Sequence, residues 1–272
     1  MKKRILSAIV LLPVFLIILL VLPKIVATVL FAVIAVIGTY ELLHNTGLVK
    51  QPRLLVYAMI MAFYMGLWSG LWRGTYPITM LGIFAFTCLL CSELLISHGK
   101  TSFNSVAVAF VGGALIPYLI TAPTRLLSWS IGRFSILIPF VIAFMSDSGA
   151  YFIGLKFGKH KLSPNISPKK TVEGLIGGVL GAVIGVMVYC LVVNKIFHLN
   201  VSYLNALVYG FWGSLGGVFG DLSFSAIKRQ AQIKDYGNLI PGHGGILDRF
   251  DSLVVVAPLT EILMHIIPLV VK

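Results

Sequence analysis

Long apolar runs alternate with short polar breaks along this 272-residue chain. A helix needs about 20 apolar residues to cross the hydrocarbon core of a bilayer. Runs of that kind occupy residues 5–22, 25–43, 54–72, 77–97, 104–123, 134–155, 174–194, 203–227 and 250–271. The pattern predicts an all-α, polytopic integral membrane protein with about nine transmembrane helices, since a spanning segment must satisfy its own backbone polar groups. The first run follows Lys2, Lys3 and Arg4, but no small-residue cleavage site follows Leu22, so it reads as a retained span and not a signal peptide.

Composition agrees with that reading and excludes a soluble domain. Hydrophobic residues make up 58% of the chain, charged residues 11%, and the mean hydropathy is +0.98, against roughly 25% charged residues in soluble globular proteins. The net charge is +12. With nine spans, the N-terminus and the loops after spans two, four, six and eight carry 15 Lys and Arg, and the opposite side carries 6. By the positive-inside rule the richer side is cytoplasmic, which sends the C-terminus outward. Part of the excess simply sets orientation; the rest would attract anionic headgroups or an anionic soluble substrate.

The acids divide the chain in two. Residues 1–133 hold only Glu41 and Glu93, both near span ends, and read as scaffold, lipid access and dimer contacts, with the two acids interfacial. Residues 134–272 hold the other seven, six of them in "SDSGAY" (146–151), "SPKKTVEG" (167–174) and the stretch from Asp221 to Asp251. The latter region reads as catalytic, with cytoplasmic loops 156–173 and 228–249. Gly174, Gly177, Gly181 and Gly185, and then Gly213, Gly217 and Gly220, recur at spacings that let helices approach closely. Cys88, Cys91 and Cys190 lie inside apolar spans without the further ligands of a zinc site and read as small core residues. Walker A, Rossmann and His-Glu-x-x-His patterns are absent.

A carboxylate within a membrane helix costs about 2.5–3.5 kcal/mol at the bilayer centre and points to function; Asp147 and Asp221 both qualify. Asp221, Ser225 and Lys228 share one helical face, and Asp248, Asp251 and Ser252 share another at the start of the ninth span. Carboxylates so placed suit Mg²⁺, which takes one or two from protein and completes its shell with water and phosphate oxygens. The alternative is structural: Asp248 paired with Arg249 or Arg229, and Asp251 capping a helix. "PGHGGILDR" (241–249) offers backbone N–H groups just before a helix start, with His243 a further donor. Lys156, Lys159, Lys161, Lys169 and Lys170, followed by Thr171 and Glu173, form a basic loop in which "SPKKTVEG" reads as a turn and a helix N-terminus, suited to phosphate or headgroup.

"SAIKRQAQIKDYGNLIPGHGGILDRFD", residues 225–251, resembles the motif of the phosphatidate cytidylyltransferase (CDP-diacylglycerol synthase) family at Ser225, Lys228, Arg229, Lys234, Asp235, Gly237, Pro241, His243, Gly244, Gly245, Asp248, Arg249 and Asp251. "SDSGAY", "FGKHKL" and "SPKKTVEG" extend the resemblance over about residues 140–260. It implies a nucleotidyltransferase making CDP-diacylglycerol and pyrophosphate from CTP and phosphatidate, with Mg²⁺ and a second cation as an open alternative. Further implications are a homodimer, no nucleic-acid partner, a bacterial inner or plasma membrane and an active site facing the cytoplasm. Asp221 and Asp248, with Asp147 or Asp251 in addition, are the implied metal ligands. Lys228 and Arg229 join these four acids as catalytic candidates. Lys169, Lys170, Thr171, Glu173, Ser225, Lys234, Asp235, His243, Gly244, Gly245 and Arg249 are the candidates for substrate phosphates. The competing class is an ion-coupled transporter using Asp147 and Asp221; inverted repeats, which it would require, are not visible.

Overall fold

The computed structural model describes residues 12–71, 76–129, 132–239 and 244–270. Its architecture is all-α, with one small hairpin. Among the described residues six helical segments are long and apolar enough to cross a membrane: Lys24–Asn45, Pro52–Gly70, Pro77–Ile96, Phe103–Leu126, Gly132–Phe157 and Val172–Phe197. They coincide with six of the nine expected runs. Of the remaining three, the first lies partly outside the described residues, with 12–20 helical. The run 203–227 is one continuous helix, Tyr203–Gln230, less apolar because of its Gly, Ser and Asp content. The run 250–271 is interrupted: helix Leu247–Phe250 ends in a turn at Asp251 and Ser252, and helix Leu253–Ile266 follows.

The chain forms two compact units. One comprises residues 1–125 and 230–250, the other 126–229 and 251–272. In the first, helix Lys24–Tyr40 packs on helix Pro52–Leu71 around buried Phe31, Leu54 and Met65. A Cβ on Gly66 would fall 2.6 Å from that of Ala32, so the missing side chain sets the helix spacing. The helix from Lys24 continues into a π-helical turn, Glu41–Asn45. A second π turn, Val111–Leu115, interrupts the segment Phe103–Ile120, and Gly112 O there accepts a hydrogen bond from Thr39 Oγ1 at 2.8 Å. Glu93, half of the acid content expected at span ends, stands 3.9 Å from Arg53 Nη1.

In the second unit, helices Leu137–Phe157 and Val172–Phe197 form the most extensive pair. Glycine is the reason. A Cβ on Gly177 would meet Gly149 O at 2.7 Å, and one on Gly181 would meet Met145 O at 2.5 Å, so the two backbones touch where side chains would hold them apart. Helix Tyr203–Gln230 joins them, Gly213 against Ile142 and Gly217 against Val256. Ile138, Ile142, Ala182, Val186, Tyr209 and Val256 form the buried core there. Cys190 belongs to that core as expected. Cys88 and Cys91 do not: both are exposed on helix Tyr76–Ile96, where a small polarizable side chain costs little against lipid.

The basic loop is more ordered than the expected turn. Lys161–Ser163 pairs antiparallel with Ser167–Thr171, in register Lys161↔Thr171 and Ser163↔Ser167. The helix starts where the sequence predicts: Thr171 is the N-cap of helix Val172–Phe197, its hydroxyl accepting from Gly174 N at 3.1 Å.

Candidate functional site

Within the unit of residues 126–229 and 251–272, the hairpin and three helices line a cavity of about 530 Å³. Asp147 and Tyr151 line it from helix Leu137–Phe157; Lys161, Lys169, Lys170 and Thr171 line it from the hairpin. Lys170 Nζ lies 2.6 Å from Asp221 Oδ2, and Ser225 Oγ donates to Asp221 Oδ1 at 3.1 Å, as the shared helical face of 221 and 225 predicts. Asp221 therefore has an ammonium on one oxygen and a hydroxyl on the other. Lys228, one further turn along, is 8% exposed.

Beneath this, Ser146 and Ser214 share a buried hydroxyl–hydroxyl hydrogen bond of 2.8 Å that ties the Asp147-bearing helix to the Asp221-bearing one. Gly220 lies against the turn that holds Asp251: a Cβ there would be 2.7 Å from Asp251 O. The small residue brings Asp221 and Asp251 together. Asp251 accepts from Ser252 N at 2.8 Å and is acted on electrostatically by Asp221, Lys228 and Asp147. Carboxylate oxygens are hard donors of the kind that could hold Mg²⁺. Among the described residues no three or more His, Cys, Asp or Glu side chains converge as a complete metal site, and Mg²⁺ needs no such cage because it usually takes one or two protein carboxylates.

Two expected site residues, the phosphate candidate Glu173 and the catalytic candidate Arg229, have structural duties. Glu173 accepts from Lys159 N at 3.1 Å, from His160 N at 3.2 Å and from His160 Nδ1 at 2.6 Å, so it fixes the entry to the lysine hairpin. Arg229 Nε donates to Ile166 O at 3.2 Å, which holds the hairpin tip to the end of helix Tyr203–Gln230.

The glycine-rich motif segment belongs to the other unit. Asp248 Oδ2 accepts from Tyr236 N at 2.8 Å and Gly245 N at 3.0 Å, which ties these two residues to one carboxylate oxygen. Gly244 has φ +88°, a conformation that favours glycine. Lys234, Asp235 and Arg249 are exposed; His243 and Pro241 lie outside the described residues. The sequence reading missed the acid beneath this loop. Glu41, read as interfacial, is 3% exposed, and its Oε1 and Oε2 accept from Ile246 N at 3.0 Å and Leu247 N at 2.8 Å. The available signal was a carboxylate in an otherwise apolar run, which is costly unless paired.

A sequence model of the cytidylyltransferase family matches residues 2–267. A Bacillus subtilis (strain 168) protein named phosphatidate cytidylyltransferase is 34% identical over 97% of this chain and 97% of its own length. Proteins of the same name from Staphylococcus epidermidis RP62A and Staphylococcus aureus COL are 37% and 38% identical, each over 69% of this chain and 70% of their own.

Proposed function

We propose, since the chain belongs to the cytidylyltransferase family, that it transfers the cytidylyl group of CTP to phosphatidate, giving CDP-diacylglycerol and pyrophosphate. The observation that carries the reading is the 2.6 Å Lys170–Asp221 pair at a cavity lined by Lys161, Lys169 and Asp147. A phosphate oxygen of the lipid attacks the α-phosphorus of CTP; that P–O bond forms as the bond to the β-phosphate bridge breaks, and pyrophosphate leaves with the electron pair. Nucleophile and electrophile are both anions. At 4 Å and an effective dielectric near 20, each pair of unit charges repels by about 4 kcal/mol.

The residues answer that repulsion. Lys161, Lys169 and Lys170 neutralise phosphate charge on the hairpin side and orient the oxygens for in-line attack. Because the lipid's own phosphate is the nucleophile, the chain needs no Ser or Cys nucleophile, and the hydroxyl of Ser225 serves to orient Asp221. Asp221 with Asp251, or with Asp147, would hold Mg²⁺; Asp248 is a further candidate by resemblance, and a second cation is compatible with this many acids. When bound, the metal supplies charge neutralisation on the phosphates and stabilises the departing pyrophosphate.

With nine spans, the 15-to-6 charge asymmetry supports the hairpin on the cytoplasmic side of a bacterial plasma membrane, where CTP is available. The exposed apolar surface suits a multi-pass protein with its lipid substrate drawn from the bilayer, and a homodimer is what the family resemblance implies. The transporter alternative gains nothing from the relatives, which carry a transferase name. The test is direct: purified protein with CTP and phosphatidate should release pyrophosphate and CDP-diacylglycerol in equal amounts, only with both substrates and Mg²⁺. Pyrophosphate release without phosphatidate would contradict lipid as acceptor.

A further inference from the structure

Glu41 is a buried acid in the half of the chain that composition marks as scaffold. A carboxylate removed from water must recover several strong hydrogen bonds, and Glu41 recovers them from one place: the main-chain amides of Ile246 and Leu247, 205 and 206 residues along the chain. Two glycines of the motif segment close around it. A Cβ on Gly237 would lie 2.5 Å from Glu41 Oε1, and one on Gly245 would lie 2.6 Å from both carboxylate oxygens. Only residues without side chains let the segment reach the acid.

The second grip comes from the same π turn. Asn45 Nδ2 donates to Tyr236 O at 2.6 Å, and Tyr236 N donates in turn to Asp248 Oδ2. Tyr236 is itself 1% exposed. Asn45 therefore holds Tyr236 and Glu41 holds Ile246 and Leu247, while Asp248 ties Tyr236 to Gly245. Single π turns are frequent at functional sites; this one carries the two side chains that grip the motif segment.

We propose that Glu41, assisted by Asn45, is a positioning residue for the transfer reaction: it sets the conformation of the glycine turn and so the orientation of Asp248 and Arg249, without touching substrate itself. The inference rests on the transferase reading above. It also assigns a purpose to Gly237 and Gly245 different from phosphate binding: they make room for the carboxylate.

The experiment compares wild type, Glu41→Gln, Glu41→Asp, Gly245→Ala and the double variant Glu41→Gln with Gly245→Ala, each purified as the full chain in detergent. Turnover per folded molecule, KM for each substrate, thermal midpoint and amide exchange across 236–248 are recorded. Glutamine keeps one acceptor but turns an amide donor toward a second N–H. It should lower turnover per folded molecule about 10- to 100-fold, with KM for CTP within about twofold and faster exchange at Ile246 and Leu247. Glu41→Asp should recover part of the loss. Gly245→Ala should be impaired alone and add little to Glu41→Gln, because both disturb one contact. Unchanged turnover per folded molecule in Glu41→Gln, or a loss that follows the folded fraction alone, overturns the positioning role. Wild-type protein that makes no CDP-diacylglycerol overturns the transferase reading itself and this inference with it, and is recognised because it precedes any variant.

Discussion

Lys170 and Asp221 form a 2.6 Å ion pair between the lysine hairpin and helix Tyr203–Gln230, at the margin of the cavity that Asp147 and Lys169 line. A cation and an anion so placed neutralise one another at rest and can be separated by a substrate that brings its own phosphates and metal.

Removing the hairpin charge should weaken substrate binding more than it slows chemistry. Lys169→Gln with Lys170→Gln should raise KM for CTP or phosphatidate about tenfold or more, each charge-assisted hydrogen bond to phosphate contributing roughly 1.5–3 kcal/mol. Steady-state kinetics in mixed micelles, varying each substrate in turn, measures it. Unchanged KM for both would leave these lysines with orientation in the membrane as their whole role.

Glu173 should act through the hairpin it anchors. Its carboxylate holds Lys159 N, His160 N and the His160 ring, so Glu173→Ala should loosen residues 158–161 and expose the Lys159 and Lys161 bonds to trypsin. The readout is the cleavage rate at those lysines in folded protein. A rate equal to wild type would mean that the strand pairing alone orders the hairpin.

Asp248→Asn separates shape from charge. The side-chain oxygen of Asn can still accept from Tyr236 N and Gly245 N, so the loop should persist and the thermal midpoint should shift little. A fall in turnover of a hundredfold or more, with the fold kept, would then report the lost charge. A lowered midpoint with full activity per folded molecule would make Asp248 a structural tie only.

Close helix contact predicts a stability effect remote from the chemistry. Gly177→Ala places a Cβ 2.7 Å from Gly149 O and 2.5 Å from Ile153 Cβ, so the backbones must separate, at a cost of about 1–3 kcal/mol. The thermal midpoint in detergent should fall accordingly, by at least several degrees.

Six spans and the packing role of their glycines were legible in the sequence because length, apolarity and small-residue spacing are local properties. The break at Asp251 and Ser252 was not: residues 250–271 are apolar enough to read as one run, and the interruption comes from the turn against Gly220. "SPKKT" holds Pro and paired Lys, which are poor strand formers, and pairing with Lys161–Ser163 overrides that preference. Asp221 and Ser225 came together as helical periodicity requires. The bond from Glu41 to the motif turn was beyond reach, since it joins residues 205 positions apart and nothing local announces a partner at that distance.

Turnover per folded molecule of Asp221→Asn, measured across a Mg²⁺ titration, tests the central claim most directly. The amide preserves shape and the acceptor for Ser225 while removing the charge paired with Lys170. If Asp221 holds Mg²⁺ as proposed, its loss as a ligand removes several kcal/mol of transition-state stabilisation, and each 1.36 kcal/mol is tenfold in rate. The account predicts CDP-diacylglycerol formation reduced on the order of a thousandfold at every Mg²⁺ concentration, with the protein folded and inserted. Near-wild-type turnover with an unshifted Mg²⁺ midpoint would contradict it.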